Sequence, residues 1–258
     1  MSILLIDAGN TRTKWAIASS DSFNINDRFT HFGVLQSAKF NLNFLKENEA
    51  IQYIVCTSVL NTKETEQIKD ICLEKLPNAQ WHQINGSSAQ ELLPSAYTSV
   101  NQLGADRRAL LLGAQAMFPH RNVLIVCAGT ATTYDLLSSE KKHLGGWIIP
   151  GIDLMKTALA EGTARLPQAT TSNELTSLKF GLDTQEGILN GILASQLGTI
   201  EIAKTSAHKL NIKLDAILVD GGNAELFISH YSGQEQLIAC PHLVLKGLLA
   251  WHHTEYRS

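Results

Sequence analysis

The segment Asp7–Ala8–Gly9–Asn10–Thr11–Arg12–Thr13–Lys14 gathers a carboxylate, a glycine turn, hydroxyls and a lysine into one short stretch. A carboxylate at the end of a strand can hold Mg²⁺ directly or through water, because Mg²⁺ keeps several waters and takes few carboxylates. Asn10, Thr11 and Lys14 can donate to phosphate oxygens, and glycine, lacking a Cβ, lets backbone N–H groups approach them. Gly–Asn turns also occur in plain hairpins that bind nothing. A second copy favours the phosphate reading. ILLIDAGNTRTKWAI begins at Ile3 and VLIVCAGTATTYDLL at Val123. Aligned without a gap, Leu4 falls on Leu124, Ala8 on Ala128, Gly9 on Gly129 and Thr13 on Thr133, while Asp7 falls on Cys127. Two such turns facing each other would form a phosphate clamp in which one wall keeps its carboxylate and the other carries a thiol.

Three further segments could do chemistry. In the second turn, Gly129–Thr130–Ala131–Thr132–Thr133, Thr130 stands where Asn10 stands in the first and could meet a triphosphate; Thr132 and Thr133 are also ordinary strand formers. Asp220–Gly221–Gly222–Asn223 is a third glycine turn, where paired glycines let a flat ring lie against the backbone and Asn223 can cap a helix. A plain strand-to-helix turn reads the same way. Gly104–Ala105–Asp106–Arg107–Arg108 opens a helix, and a carboxylate in a first turn is favoured by the helix dipole by about 0.3–1 kcal/mol without any ligand. The functional reading makes Asp106 a general base for a substrate hydroxyl and Arg107 a clamp for a carboxylate. Tyr97, a few residues upstream, could add a ring wall and a hydroxyl. Thr184 starts a long helix beside Asp183 and Glu186, which have capping-box spacing. Neither GxGxxG nor GxxxxGK[ST] occurs, which argues against Rossmann and P-loop nucleotide sites.

The elements that position these turns follow from periodicity. The first strand, residues 14–18 and residues 28–35 predict three antiparallel strands. A helix over 37–48, a buried strand over 51–56 and a helix over 62–76 ending before Pro77 complete a βββαβα order. The second half repeats its beginning, with strands at 123–127, 132–137 and 143–149, then a helix after Pro150–Gly151. A long amphipathic helix over 183–210, a buried strand over 216–220 and a helix after Gly221–Gly222 follow. Pro119 breaks the chain between halves, giving domains at residues 1–118 and 119–258. A repeat this long indicates a duplicated α/β domain rather than a solenoid. Ligands in such folds bind beyond the carboxyl ends of strands, where Asp7, Cys127 and Asp220 all fall, so one site in an interdomain cleft is expected.

Composition narrows the class. With 258 residues and 44% hydrophobic content the chain can build a substantial core. A formal net charge of −3 with dispersed Lys and Arg gives no nucleic-acid footprint. The amino terminus enters a strand directly, with no basic leader, and no apolar run reaches the roughly 18 residues of a membrane span. A cytoplasmic protein with no nucleic-acid or membrane partner is expected. Cys56, Cys72 and Cys240 lie far apart in apolar runs and read as reduced core residues; His252 and His253 read as solvent-exposed on a terminal helix.

Taken in order, DAGNT at Asp7, GADR at Gly104, GTATT at Gly129, GGW-IIPG from Gly145 to Gly151 and DGGN at Asp220 resemble the type III pantothenate kinases across nearly the whole chain. DxGNT and DGGN alone would indicate only the wider superfamily of acetate and sugar kinases, heat-shock protein 70 and actin. The resemblance implies two tandem ribonuclease H-like, actin-like ATPase domains with mixed sheets. It implies ATP-dependent phosphorylation of pantothenate to 4′-phosphopantothenate, the first step of coenzyme A biosynthesis, by a cytoplasmic homodimer. It assigns the Asp7–Lys14 segment and Thr130 to ATP, and Gly221 and Gly222 to adenine. Tyr97, Gly104, Ala105, Asp106, Arg107 and Thr184 go to pantothenate, with Asp106 as the proton acceptor.

The family also needs Mg²⁺ or another divalent cation and a monovalent cation, K⁺ or NH₄⁺. It usually has Asp, the monovalent-cation ligand, where this chain has Cys127, and tends to have Pro where Val100 stands. A thiol, with an ordinary pKa of about 8.5 and a soft sulfur, is a poor ligand for a hard cation, so weakened or absent K⁺ dependence is expected. The competing reading is a nucleotide-binding regulatory or accessory protein of the same fold, which Cys127 alone favours.

Overall fold

A computed structural model describes residues 2–19, 29–45, 50–164, 166–167, 169 and 178–256. Ser2–Ala8 (β1) is an uninterrupted apolar run up to Asp7, and such runs belong to strands covered on both faces; residues 3–8 are all buried. Arg12–Ser19 (β2) and His31–Gln36 (β3) continue it antiparallel, while Ile51–Ser58 (β4) and Gln80–Ile84 (β5) add on its other side in parallel. The resulting order is β3-β2-β1-β4-β5. Thr62–Lys75 (α1) links β4 to β5, starting at an Asn61–Glu64 capping box, and Ala105–Met117 (α2) follows a long loop after β5.

The second half has the same plan. Val123–Ala128 (β6), Ala131–Leu137 (β7) and His143–Pro150 (β8) form the antiparallel part, and Ala216–Asp220 (β9) and Leu237–Ala239 (β10) the parallel part, in the order β8-β7-β6-β9-β10. Ile152–Gly162 (α3) and Thr184–Lys209 (α4) lie between β8 and β9, and Ala224–His230 (α5) between β9 and β10. One core gathers Leu124, Val126, Tyr134, Ile192, Ile200 and Val219, so the apolar stripe of α4 covers the β6–β7–β9 face.

Several details differ from the sequence reading. β5 and β10 were not expected. β5 is polar at three of its five positions and β10 has only three residues, so neither carries a strong period. The helix expected over 37–48 is a single 3₁₀ turn, Ser37–Lys39, followed by irregular chain to residue 45; residues 46–49 lie outside the described set, as does Arg28. Phe40 and Leu42 are buried there and Phe44 stacks on Trp15, so the apolar residues plug a core without helical hydrogen bonds. Cys56, Cys72 and Cys240 are buried and form no disulfide among the described residues, and burial pushes the thiol of Cys72 up to about 12.

The chain divides into two compact units, Met1–Pro119 with His242–Ser258, and His120–Pro241. The carboxyl-terminal helix Leu243–Glu255 (α6) thus belongs with the first unit and not with a domain spanning 119–258. Its axis crosses α2 so closely that a Cβ on Gly247 would overlap the Ala109 carbonyl and one on Gly113 the Leu243 carbonyl. α2, whose first turn carries Asp106 and Arg107, is therefore held by the last helix of the chain.

His252 on α6 is 4% exposed, not solvated as expected. Its ring lies 4.6 Å from Tyr53 and 5.1 Å from Tyr256, with His82 and Trp251 in the same aromatic cluster. Burial, then the neighbouring His253 and His82, lower its pKa to about 4. A base whose folded pKa lies below its unfolded value favours folding while neutral. That contribution is complete above about pH 6.5 and is lost as pH falls toward 4, at about 1.4 kcal/mol per pKa unit. Urea melts should accordingly show stability declining across this window. His252→Phe should flatten the decline, and an unchanged slope in that variant would remove His252 as its source.

Candidate functional site

In the first unit the β1–β2 turn closes through Gly9 N–H donating to the Arg12 carbonyl at 3.2 Å. Asn10, Thr11 and Arg12 are exposed at its tip. Asp7 faces Lys14 across the strand pair, with Lys14 Nζ 4.0 Å from the carboxylate, whose side chain is 13% exposed. Ser37, which sequence reasoning missed, braces the turn. Its hydroxyl donates to the Gly9 carbonyl at 2.6 Å and lies 3.0 Å from Thr13 Oγ1, and its N–H donates to the Thr11 carbonyl at 3.3 Å. No local pattern marks Ser37, because it reaches the turn only through the β2–β3 pairing.

The same unit gathers the second set. Gly104 starts α2 with no side-chain cap, and a Cβ there would collide with the Asp106 carboxylate, which lies over the helix start. Asp106 Oδ1 accepts from the Arg107 N–H at 2.8 Å. Arg107 is buried, donates from Nη1 to the Tyr97 hydroxyl at 2.8 Å, and stands 5.5 Å from the centre of the Tyr97 ring. Tyr97, Asp106 and Arg107 are thus one cluster, as the sequence suggested. It can present a cation for a carboxylate and a carboxylate for a proton.

In the second unit the β6–β7 turn is one residue shorter than its counterpart. Gly129 N–H donates to the Ala131 carbonyl at 3.2 Å, and the register pairs Ala128 with Thr132 where the first turn pairs Ala8 with Thr13. The gapless alignment therefore slips beyond the glycine: Thr13 corresponds to Thr132, and Lys14 to Thr133. Since a one-residue slip reverses every side chain of a strand, the correction is chemically significant. Asp7 lies opposite Lys14 and beside Thr57, whereas Cys127 lies opposite Thr133 and beside Asp220. Both members of the first unit's ion pair are replaced, and the carboxylate at that level stands one strand over, on β9.

Asp220 is 5% exposed and accepts from the Gly221 N–H at 2.7 Å. Gly221 has φ +105°, and a Cβ there would overlap the Ala128 backbone, so this position admits only glycine. Asn223 N–H donates to the Ala128 carbonyl at 3.0 Å; its side chain does not cap α5. Gly222 and Thr130 are exposed, and the Thr130 carbonyl accepts from the Gly151 N–H at 3.0 Å. Thr184 opens α4, where the Asp183 side chain caps Glu186. It lines an apolar cavity of about 590 Å³ between α3 and α4, together with Pro150, Met155, Leu159 and Ile188.

A family model described as type III pantothenate kinase matches residues 3–205. A type III pantothenate kinase from Colwellia psychrerythraea is 33% identical over 225 residues, covering 86% of each chain. Among solved structures, a conserved Campylobacter jejuni protein described as a Baf family transcriptional activator aligns with a TM-score of 0.62 at 19% identity, covering 99% of this chain and 100% of that one. A Sinorhizobium meliloti protein described as a 2-dehydro-3-deoxygalactonokinase aligns at 0.59 and 13% identity, covering 99% and 100%. At such identities the two structures speak for the fold alone, that of the actin-like ATPases and sugar kinases.

Proposed function

The chain belongs to the type III pantothenate kinase family, and from that premise we propose how its own residues carry the reaction. The activity is transfer of a phosphoryl group from ATP to pantothenate, the entry to coenzyme A biosynthesis. The observation that carries the assignment of roles is the Tyr97–Arg107–Asp106 cluster. Pantothenate offers a carboxylate at one end and a primary hydroxyl at the other. Arg107, held by the Tyr97 hydroxyl, binds the carboxylate. Asp106, oriented by the Arg107 N–H, accepts the hydroxyl proton as the oxygen attacks. Thr184 contributes a hydroxyl at the edge of the apolar cavity.

The residues fit Mg²⁺-ATP. Asp7, its side chain 13% exposed at the end of β1, offers one carboxylate to an ion that leaves its other positions to water and phosphate. When bound, Mg²⁺ screens the phosphate charge. The Asp7–Lys14 turn and Thr130 meet the phosphates, and Gly221 and Gly222 the adenine. The buried hydroxyl of Thr133 finds no hydrogen-bond partner among the described residues, and a phosphate oxygen or its water would satisfy it. Transfer of this kind depends chiefly on positioning and electrostatics.

A monovalent cation fits poorly, because the Cys127 level carries a thiol beside a single carboxylate. Asp220 also weakens the accessory-protein reading, since the second half still has an acidic group there. A homodimer belongs to the same proposal, supported by the exposed Trp147, Ile148, Leu154, Phe180 and Leu182; sedimentation at the mass of one chain would contradict it. ATP consumption measured against a panel of hydroxy acids should peak with pantothenate. A higher kcat/KM for another acid would overturn the substrate assignment while leaving the kinase.

A further inference from the structure

Arg108, next to Arg107, has no part in the chemistry above, yet it is completely buried. Its guanidinium donates to three neutral acceptors: Nε to the Gly86 carbonyl at 2.9 Å, Nη1 to the Leu93 carbonyl at 2.6 Å and Nη2 to Gln90 Oε1 at 2.7 Å. None is a carboxylate. Burying a cation without an opposite charge is expensive, and apolar replacements of buried ionic groups are often neutral or stabilising. Bulk stability is therefore a weak reason for an arginine here, and its geometry is a better one.

The three acceptors are corners of the loop that leaves β5, and that loop leads to Tyr97. Gly86 itself packs so closely on the Val100 and Leu103 carbonyls that a Cβ would overlap them. Over residues 85–104 the only helix is one 3₁₀ turn, Val100–Gln102; residues 85–93 form successive turns closed by their own hydrogen bonds, such as Ser88 N–H to the Asn85 carbonyl and Leu93 N–H to the Ala89 carbonyl, and Arg108 ties three points of that stretch to α2. A planar guanidinium spreads its donors over three nitrogens in a rigid fork, and here Nε, Nη1 and Nη2 each take one acceptor; an ammonium offers three donors from a single nitrogen and a thioether offers none.

We propose that Arg108 is a positioning residue for the pantothenate side of the site: from the first turn of α2 it folds the 85–93 loop, so that Tyr97 returns to meet Arg107. This rests on the assignment of Tyr97 and Arg107 to pantothenate. The test compares Arg108→Met and Arg108→Lys with wild type by KM for each substrate, by melting, and by amide hydrogen exchange. Arg108→Met should raise KM for pantothenate by roughly 10- to 100-fold, the scale of a misplacement near 1 Å, with KM for ATP unchanged and faster exchange confined to residues 86–104. Arg108→Lys should fall between. Should Arg108→Met fail to fold, Gln90→Leu, which removes one acceptor and keeps the arginine, should still raise the pantothenate KM alone.

Unchanged pantothenate KM in folded Arg108→Met, or parallel loss for both substrates tracking the melting temperature, would overturn the proposal. If wild type does not use pantothenate at all, the substrate reading fails, and hydrogen exchange over 86–104 still decides whether Arg108 shapes the loop.

Discussion

Asp106→Asn should lose about 10²- to 10⁴-fold in kcat, the usual contribution of a positioned general base, while KM for ATP stays close to wild type. The substitution isolates the proton-accepting role. Asparagine keeps the shape of the side chain and its carbonyl oxygen, so the 2.8 Å contact from the Arg107 N–H to Oδ1 can persist and the head of α2 keeps its geometry. What is lost is the charge. Asp106 lies in a first turn, where a carboxylate contributes about 0.3–1 kcal/mol through the helix dipole, so melting should fall only slightly. A large drop in kcat with nearly unchanged melting and ATP affinity cannot come from misfolding. Turnover equal to wild type would remove Asp106 as the base and leave the loop to substrate binding only.

The second expected result is a qualitative difference in cation response. Wild-type turnover should be flat as K⁺ or NH₄⁺ is added, and Cys127→Asp should acquire a dependence on them. The reason lies in the register. Position 127 is the lateral neighbour of Asp220 across β6 and β9, so aspartate there puts two carboxylates side by side, and like charges so placed repel. A monovalent cation relieves that repulsion. In the wild type Cys127 faces Thr133 and adjoins one carboxylate, so there is no pair to neutralise. Strong K⁺ activation of the wild type, or an identical cation response in Cys127→Asp, would contradict this account.

How much of this was legible in the sequence depended on whether the cause was local. The duplication could be read because β1 and β6 are central strands, and burial on both faces leaves an apolar run ending at a glycine turn. The Asp106–Arg107 segment could be read because helix-start chemistry and carboxylate recognition share residue types within one turn. The slip between the two turns could not, since the alignment counts residues while the register counts strand partners. Ser37, His252 and Arg108 were missed as functional or structural keys for the same reason. Each owes its environment to chain far away: Ser37 to the β1–β2 turn, His252 to Tyr53 and His82, Arg108 to residues 86–93. The return of α6 to the first unit rests on the Gly113–Gly247 crossing, and a lone helical glycine reads equally well as a weak point.

The most direct test of the central claim is the product itself. Wild-type protein incubated with Mg²⁺-ATP and pantothenate, in buffer free of K⁺ and NH₄⁺, should yield 4′-phosphopantothenate by mass spectrometry, and Asp106→Asn should yield almost none over the same time. Wild-type protein that binds ATP yet forms no phosphopantothenate in any salt would contradict the account.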